Sequence, residues 1–215
     1  MAIVCPTITA ESKDEYRRQI ERVARLAHRI QIDLTDGKFA PSQTVPASEA
    51  WWPIGMKVDF HIMYKDPAPA VREILKHDPN LIIVHAESDG NFEEFARACR
   101  NHGVKVGVAL LAKTHPRVIV SALDLIDHVL IFSGNLGYQG GSRADLSLLG
   151  KVSELKRVKP SLEIGWDGGV NNQNISQLIF GGVDVVNVGG FIQTADDPEH
   201  AYKSLERIAD ETGTT

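Results

Sequence analysis

Ile30-Gln-Ile-Asp-Leu-Thr-Asp-Gly37 is a run of alternating apolar and polar residues that ends in acidic residues and a glycine. Alternation with period two is typical of a β-strand, and it puts Gln31 and Asp33 on one face, opposite the three apolar residues. The following Asp-Gly pair indicates a turn. The stretch therefore predicts a strand with polar side chains on one face and an acidic residue near its C-terminal end.

Similar apolar runs recur along the whole chain, with amphipathic helical stretches between them. Strands are predicted at Ile3–Thr7, Ile30–Leu34, Lys57–Ile62, Leu81–Val84, Val104–Leu110, His128–Phe132, Leu162–Trp166 and Asp184–Val188. Helices are predicted at Asp14–Ala27, Ala47–Trp52, Ala68–Lys76, Phe92–Asn101, Pro116–Ala122, Leu146–Val158, Asn172–Phe180 and Pro198–Ala209.

Eight such alternations in 215 residues predict an α/β protein, a single (β/α)8 TIM barrel domain over residues 1–215. An open, doubly wound sheet is the alternative. That fold more often carries a GxGxxG turn after its first strand, whereas Cys5-Pro-Thr-Ile-Thr-Ala-Glu11 contains no glycine.

Composition narrows the classes of partner. The chain has 23 basic and 28 acidic residues, a net charge of −5 and no long run of Lys or Arg, so nucleic acid is not expected as a partner. No segment is apolar enough to span a membrane and no signal peptide pattern is seen, so a cytoplasmic location is expected. Cys5 and Cys99 are interpreted as buried small hydrophobic residues.

Polar residues near the C-terminal ends of three predicted strands point to one mouth of the barrel. His61 shares a strand face with Lys57 and Asp59, and Asp167 lies on the inward face of the seventh strand. TIM barrels build their active sites at that mouth. Asp33 and Asp167 are therefore candidate catalytic groups, because two carboxylates on either side of a substrate can remove and return a proton.

Five motifs in order carry a family resemblance over nearly the whole chain. They are Gln31-Ile-Asp-Leu-Thr-Asp-Gly-Lys-Phe-Ala-Pro41, Val58-Asp-Phe-His-Ile-Met63, Val84-His-Ala-Glu87, Gly103-Val-Lys-Val-Gly-Val-Ala-Leu110 and Asp167-Gly-Gly-Val170. Together they resemble the successive motifs of the ribulose-phosphate 3-epimerase family.

The resemblance implies an isomerase that interconverts D-ribulose 5-phosphate and D-xylulose 5-phosphate at C3, a reaction of the pentose phosphate pathway. It implies an enediolate stabilised by a divalent metal, which could be Zn, Fe, Mn or Mg. By position, Asp33 and Asp167 would be the acid/base pair and metal ligands, and His61 a third ligand at the substrate site. Assemblies of identical subunits are also implied.

Gln31 departs from the family pattern, which has histidine at this position. A glutamine oxygen suits harder ions such as Mg²⁺ or Mn²⁺ better than Zn²⁺ or Fe²⁺, so Gln31 is a fourth, weaker candidate ligand. Other departures surround the same site. They are Ala10, Thr35, Phe132 and Gly165.

Glycine-rich segments predict a site for the phosphate of the substrate. The loop from Gly134 to Ser142 resembles the family's mobile loop and is expected to close over the substrate. Glycines after the seventh and eighth strands can expose backbone N–H groups to an anion. Candidate substrate and phosphate contacts are Thr7, Gly137, Tyr138, Gln139, Gly140, Gly168, Gly169, Gly189 and Gly190.

The other histidines are interpreted as structural. His85 ends the fourth strand and is expected to form hydrogen bonds at the pocket floor. His128 is grouped with the histidines of helices and loops as a surface or capping residue.

Two alternative functions remain open from the sequence. One is a related lyase or decarboxylase acting on another phosphorylated sugar, although Thr35 stands where its Asp-x-Lys-x-x-Asp motif needs lysine. The other is a non-catalytic phosphate-binding homologue that lost metal affinity with the histidine.

Overall fold

The apolar runs all lie in parallel strands, which close into a barrel within residues 2–213, the part of the chain described by this computed structural model. The strands are β1 (Ile3–Ile8), β2 (Arg29–Thr35), β3 (Lys57–Met63), β4 (Leu81–His85), β5 (Lys105–Leu110), β6 (His128–Phe132), β7 (Glu163–Asp167) and β8 (Val185–Val188). Each strand pairs with the next, and β8 pairs with β1 from Ile3↔Val185 to Pro6↔Val188. The predicted TIM barrel is confirmed.

Helices cover the outside of the barrel because each buries one apolar stripe against the strands. Tyr16, Ile20 and Val23 form that stripe in the first helix, which Ser12 caps by accepting a hydrogen bond from the Glu15 N–H. The α-helices within the described residues are α1 (Lys13–Val23), α2 (Ala68–Ile74), α3 (Phe92–Asn101), α4 (Leu149–Val158), α5 (Ile175–Phe180), α6 (Gly190–Gln193) and α7 (Pro198–Gly213). No helix among residues 2–213 is long and apolar enough to cross a membrane.

Two predicted helices are 3₁₀ segments instead. Ala47–Glu49 is a single tight turn, because Pro53 disfavours helical geometry at Trp52. Pro116–Leu125 is also 3₁₀, and its β-branched residues at 118–120 are poor α-helix formers. The short helix α6 was not predicted.

The inside of the barrel is divided into an apolar and a polar side. An apolar cluster of Leu81, Ile83, Ala109 and Leu130 fills the interior on β4, β5 and β6. Buried polar side chains line the side formed by β8, β1, β2 and β3. Most buried polar residues of the strands therefore lie on one wall of the barrel, and His85 on β4 and His128 on β6 are the exceptions.

The interpretation of His128 as a surface or capping residue is wrong. His128 is fully buried at the start of β6, and its Nδ1 lies 2.7 Å from Glu163 Oε2. The same carboxylate accepts two hydrogen bonds from Arg29, at 3.0 and 2.8 Å. Gly165 leaves room for the imidazole, since a Cβ there would lie 2.4 Å from His128 Nε2.

Candidate active site

Asp33 and Asp167 lie side by side at the C-terminal ends of β2 and β7, joined by the amide of Gln31. Gln31 Nε2 donates hydrogen bonds to Asp33 Oδ1 at 2.9 Å and to Asp167 Oδ2 at 2.6 Å. Gln31 is fully buried, and Asp33 is 7% exposed. The two carboxylates predicted from the sequence therefore face one shared space across a single amide group.

Burial strongly affects both carboxyl groups. Burial raises the pKa of Asp33 to about 6, although hydrogen bonds from Thr9 and Gln31 oppose the shift. Burial and the nearby charge of Asp33 raise the pKa of Asp167 to about 7. Thr9 Oγ1 donates to Asp33 Oδ2 at 2.6 Å and so fixes the orientation of this carboxylate.

Behind the carboxylates, two histidines and a glutamate form a chain of hydrogen bonds. His61 Nε2 lies 2.9 Å from His85 Nε2, and His85 Nδ1 lies 3.3 Å from Glu87 Oε2. Burial lowers the pKa of each imidazole to about 4, so both rings are neutral. Burial opposes ionisation of Glu87, but hydrogen bonds from His85, Thr114 and the Leu111 N–H hold its pKa below the ordinary value.

This series of hydrogen bonds determines which ring nitrogen of His61 carries a proton. An ionised Glu87 only accepts, so His85 donates from Nδ1 and accepts at Nε2. His61 must then donate from Nε2, which leaves a lone pair on Nδ1. That atom lies 3.0 Å from Asp33 Oδ1 and 3.7 Å from Asp167 Oδ2. Three atoms with free lone pairs therefore lie close together: His61 Nδ1, Asp33 Oδ1 and Asp167 Oδ2.

Such a set of donors fits a divalent cation. The ligand atoms offered by Asp33, His61 and Asp167 all lie within 4.8 Å of one another. A metal-bound histidine usually donates its second ring N–H to a partner, as His61 does to His85. Gln31 Oε1 is buried without a hydrogen-bond partner among the described residues, and a 180° rotation of the amide turns this oxygen toward the carboxylates.

A cavity of about 340 Å³ opens above the acid pair at the mouth of the barrel. Nine of its lining residues were predicted as substrate or phosphate contacts: Thr7, Gly137, Tyr138, Gln139, Gly140, Gly168, Gly169, Gly189 and Gly190. His61 is fully buried beneath this lining, so its ring is in the position of a metal ligand and not of a direct substrate contact.

The glycines after β7 are required by close packing. Gly168 has φ +113°, and a Cβ there would lie 2.1 Å from Gly134 N. A Cβ on Gly169 would lie 2.1 Å from Ala144 N. The backbone of this turn therefore packs directly against Gly134 at the start of the glycine-rich loop and against Ala144 just beyond its end, and no side chain fits between them.

The loop over 134–142 covers part of the cavity and is fastened at two points. Gln139 Nε2 donates to the Thr7 carbonyl at 2.9 Å, and Ser42 Oγ donates to the Gly137 carbonyl. Both contacts tie the loop to the opposite wall of the barrel. The loop therefore has the position of a lid.

Several residues of the site were not predicted from the sequence. Thr9, Asn171 and Asn187 line the cavity, and Glu87 orients His85 from below. Thr9 and Asn187 had a usable signal, because each lies two residues from a predicted contact on the same strand face, Thr7 and Gly189 respectively. The role of Glu87 depends on distances that the sequence does not contain.

Comparison with known proteins agrees with the motifs. The model of the Ribulose-phosphate 3 epimerase family matches residues 3–192. A ribulose-phosphate 3-epimerase of Helicobacter pylori is 30% identical over 95% of this chain and 97% of its own. The same-named protein of Aquifex aeolicus is 29% identical over 97% of each chain. The structure of 3-hexulose-6-phosphate synthase from Salmonella typhimurium covers 98% of this chain and 99% of its own, with a TM-score of 0.71 and 15% identity, which supports the fold alone.

Proposed function

This chain belongs to the Ribulose-phosphate 3 epimerase family, and from that membership we propose that it epimerises D-ribulose 5-phosphate and D-xylulose 5-phosphate at C3. The observation that carries the proposal is the pairing of Asp33 and Asp167 through Gln31. Two carboxylates on separate strands can approach one carbon from two sides, which inversion at that carbon requires.

The proton steps belong to the two aspartates. One carboxylate takes the proton from C3 of the ketose phosphate and leaves an enediolate, and the protonated partner returns a proton to the opposite face. Gln31 orients both carboxylates by donating a hydrogen bond to each, and Thr9 donates a further hydrogen bond to Asp33. The reverse reaction exchanges their roles.

Asp33, His61 and Asp167 would hold a divalent metal, with Gln31 Oε1 as a fourth ligand. When bound, such a cation supplies Lewis-acid stabilisation of negative charge on the substrate oxygens. The glycines that line the outer part of the cavity bind the phosphate through backbone N–H groups, and the loop over 134–142 closes above the sugar.

The lyase alternative has less support. The position of its lysine is held by Thr35, which is buried and bonded through Oγ1 to the Thr44 N–H at 3.0 Å. A hydroxyl in that position cannot supply the positive charge of a lysine.

We further propose a homo-oligomeric, cytoplasmic protein, and sedimentation of the purified chain tests the assembly.

Exchange of the C3 proton in heavy water tests the proposed reaction. Wild-type protein should incorporate deuterium at C3 of both epimers. Asp33→Asn should lose exchange from one epimer and Asp167→Asn from the other, by roughly 10²- to 10⁴-fold, since an amide cannot carry the proton.

Metal content is measured for both variants, so that a lost ligand is distinguished from a lost proton carrier. Asp124→Asn, an exposed site far from the cavity lining, serves as the matched control. Full exchange in either active-site variant, or loss from both epimers together in a metal-loaded variant, would contradict the two-carboxylate mechanism.

A further inference from the structure

Asn187 is a buried amide that faces the cavity without a partner. It is 2% exposed and lines the cavity from β8. Neither Oδ1 nor Nδ2 has a hydrogen-bond partner within residues 2–213. Buried amides are nearly always hydrogen-bonded, and leaving one unpaired destabilises the fold. An amide kept in this state points to a ligand.

The strand register sets the level of Asn187 in the barrel. It lies opposite Asp167 on β7 and opposite Cys5 on β1. The next residue on its face is Gly189, about 6.6 Å further toward the mouth at the usual rise of a strand. Asn187 is therefore beside the acid pair, below the glycines of the outer cavity.

Asn187 also has no competing partner from its paired neighbours. A thiol such as Cys5 is a weak hydrogen-bonding group, and burial raises the pKa of Cys5 well above its ordinary value, which keeps it neutral. The carboxylate of Asp167 receives its donor from Gln31. The amide of Asn187 thus remains available for a group that enters the cavity.

We propose that Asn187 binds the C4 hydroxyl of the ketose phosphate, and so selects substrates that carry one. This proposal rests on the proposed function. The reacting carbon, C3, lies at the acid pair and the phosphate lies at the glycines. C4 is bonded to C3 on the side of the phosphate, and this places its hydroxyl within reach of the Asn187 amide. A hydroxyl both donates and accepts, which matches the Nδ2 and Oδ1 atoms of one amide.

Substitution combined with a modified substrate tests the assignment. Asn187→Val fits a strand whose neighbours are Val186 and Val188, and Asn187→Ala is the second variant if valine does not fold. With D-ribulose 5-phosphate, kcat/KM should fall about 10- to 100-fold on substitution. With the 4-deoxy analogue, wild type should already show that loss, and the variants should add little to it.

Thermal stability gives a readout that separates binding from structure. If Asn187 serves a ligand, replacing its unpaired amide by an apolar side chain should leave the melting temperature of the free protein unchanged or raise it. A lower melting temperature with equal losses on both sugars would show a structural role and overturn the proposal.

Calorimetric binding of both sugars keeps the two proposals distinguishable. Wild type that binds D-ribulose 5-phosphate but does not exchange C3 protons would refute the epimerase function, and the role of Asn187 is then decided on Kd. Wild type that turns over and treats both sugars equally would refute the role of Asn187 alone. Wild type that binds neither sugar would refute both.

Discussion

Gln31 is the residue whose chemistry most affects metal binding at this site. Its amide nitrogen bridges the two carboxylates, and only rotation brings an oxygen toward them. Gln31→His should raise affinity for Zn²⁺ about 10-fold or more, because imidazole is the better ligand for that ion. Competition with a chromophoric chelator measures the change, and Gln31→Leu is the control that removes the oxygen. Unchanged affinity in both variants would mean that position 31 lies outside the coordination shell.

Glu87 contacts no predicted ligand directly, yet it fixes the proton on His85 and thereby the lone pair on His61. In the Glu87→Gln variant, the side-chain amide can donate a hydrogen bond to His85 Nδ1. This reverses the direction of the hydrogen bonds that link residue 87, His85 and His61. Affinity for Zn²⁺ or Mn²⁺ should then fall roughly 10- to 100-fold. Chelator competition again provides the measurement, with Glu73→Gln on the exposed surface as control. Equal affinities would show that the chain does not control His61.

Single residues were predictable where strand alternation and a motif coincided. Asp33, Asp167 and nine of the cavity-lining residues were named from the sequence because their strands and turns were recognisable. Asn187 was not named, although it lies two residues before the predicted contact Gly189, because the valines around it are typical of a buried strand. Glu87 required the distance between two imidazoles, which arises only when β3 and β4 pair.

Among the elements, the turn after β7 is the most constrained by its backbone. Gly168→Ala should destabilise the protein by about 2–5 kcal/mol, because a Cβ meets Gly134 N and the residue has positive φ. Gly150→Ala is the matched control. It lies in α4 with nothing within 4 Å of its added Cβ, and it should stabilise by about 0.5 kcal/mol. Chemical denaturation measures both, and an unaffected Gly168→Ala would contradict the close approach of the two loops.

The positions of the strands were predicted more accurately than the ends of the helices. Each strand is a short apolar run between polar segments, so its position is fixed to within one or two residues. Helix ends depend on local hydrogen bonds. Helix α5 begins at Ile175 and not at Asn172, because the Asn174 side chain bonds the Asn171 N–H at 3.0 Å and the Gly169 carbonyl at 2.8 Å.

At the scale of the whole molecule, Arg29 and Glu163 join β2 to β7 across the bottom of the barrel. Glu163→Gln should cost roughly 2–3 kcal/mol at neutral pH by weakening hydrogen bonds between charged groups. Hydrogen bonds from His128 and Arg29 outweigh burial and lower the pKa of Glu163. Its contribution is therefore complete above the unfolded value of about 4.3 and is lost as pH falls below it.

Denaturation of wild type and Glu163→Gln at several pH values measures this contribution. The difference in unfolding free energy between them should be constant from pH 7 to about 5 and shrink toward pH 3. Lys76→Gln at an exposed ion pair controls for general charge effects. A difference that grows as the solution becomes more acidic would contradict the assigned pairing.

The join between β1 and β8 has a consequence for synthesis on the ribosome. The first strand lacks its second neighbour until β8, which begins at Val185, has emerged from the ribosome, and only then can the barrel close. Until then two unpaired strand edges are open to other nascent chains. We therefore expect the unclosed chain to need shielding by chaperones during synthesis, and a truncation before β8 should yield aggregates and no active enzyme.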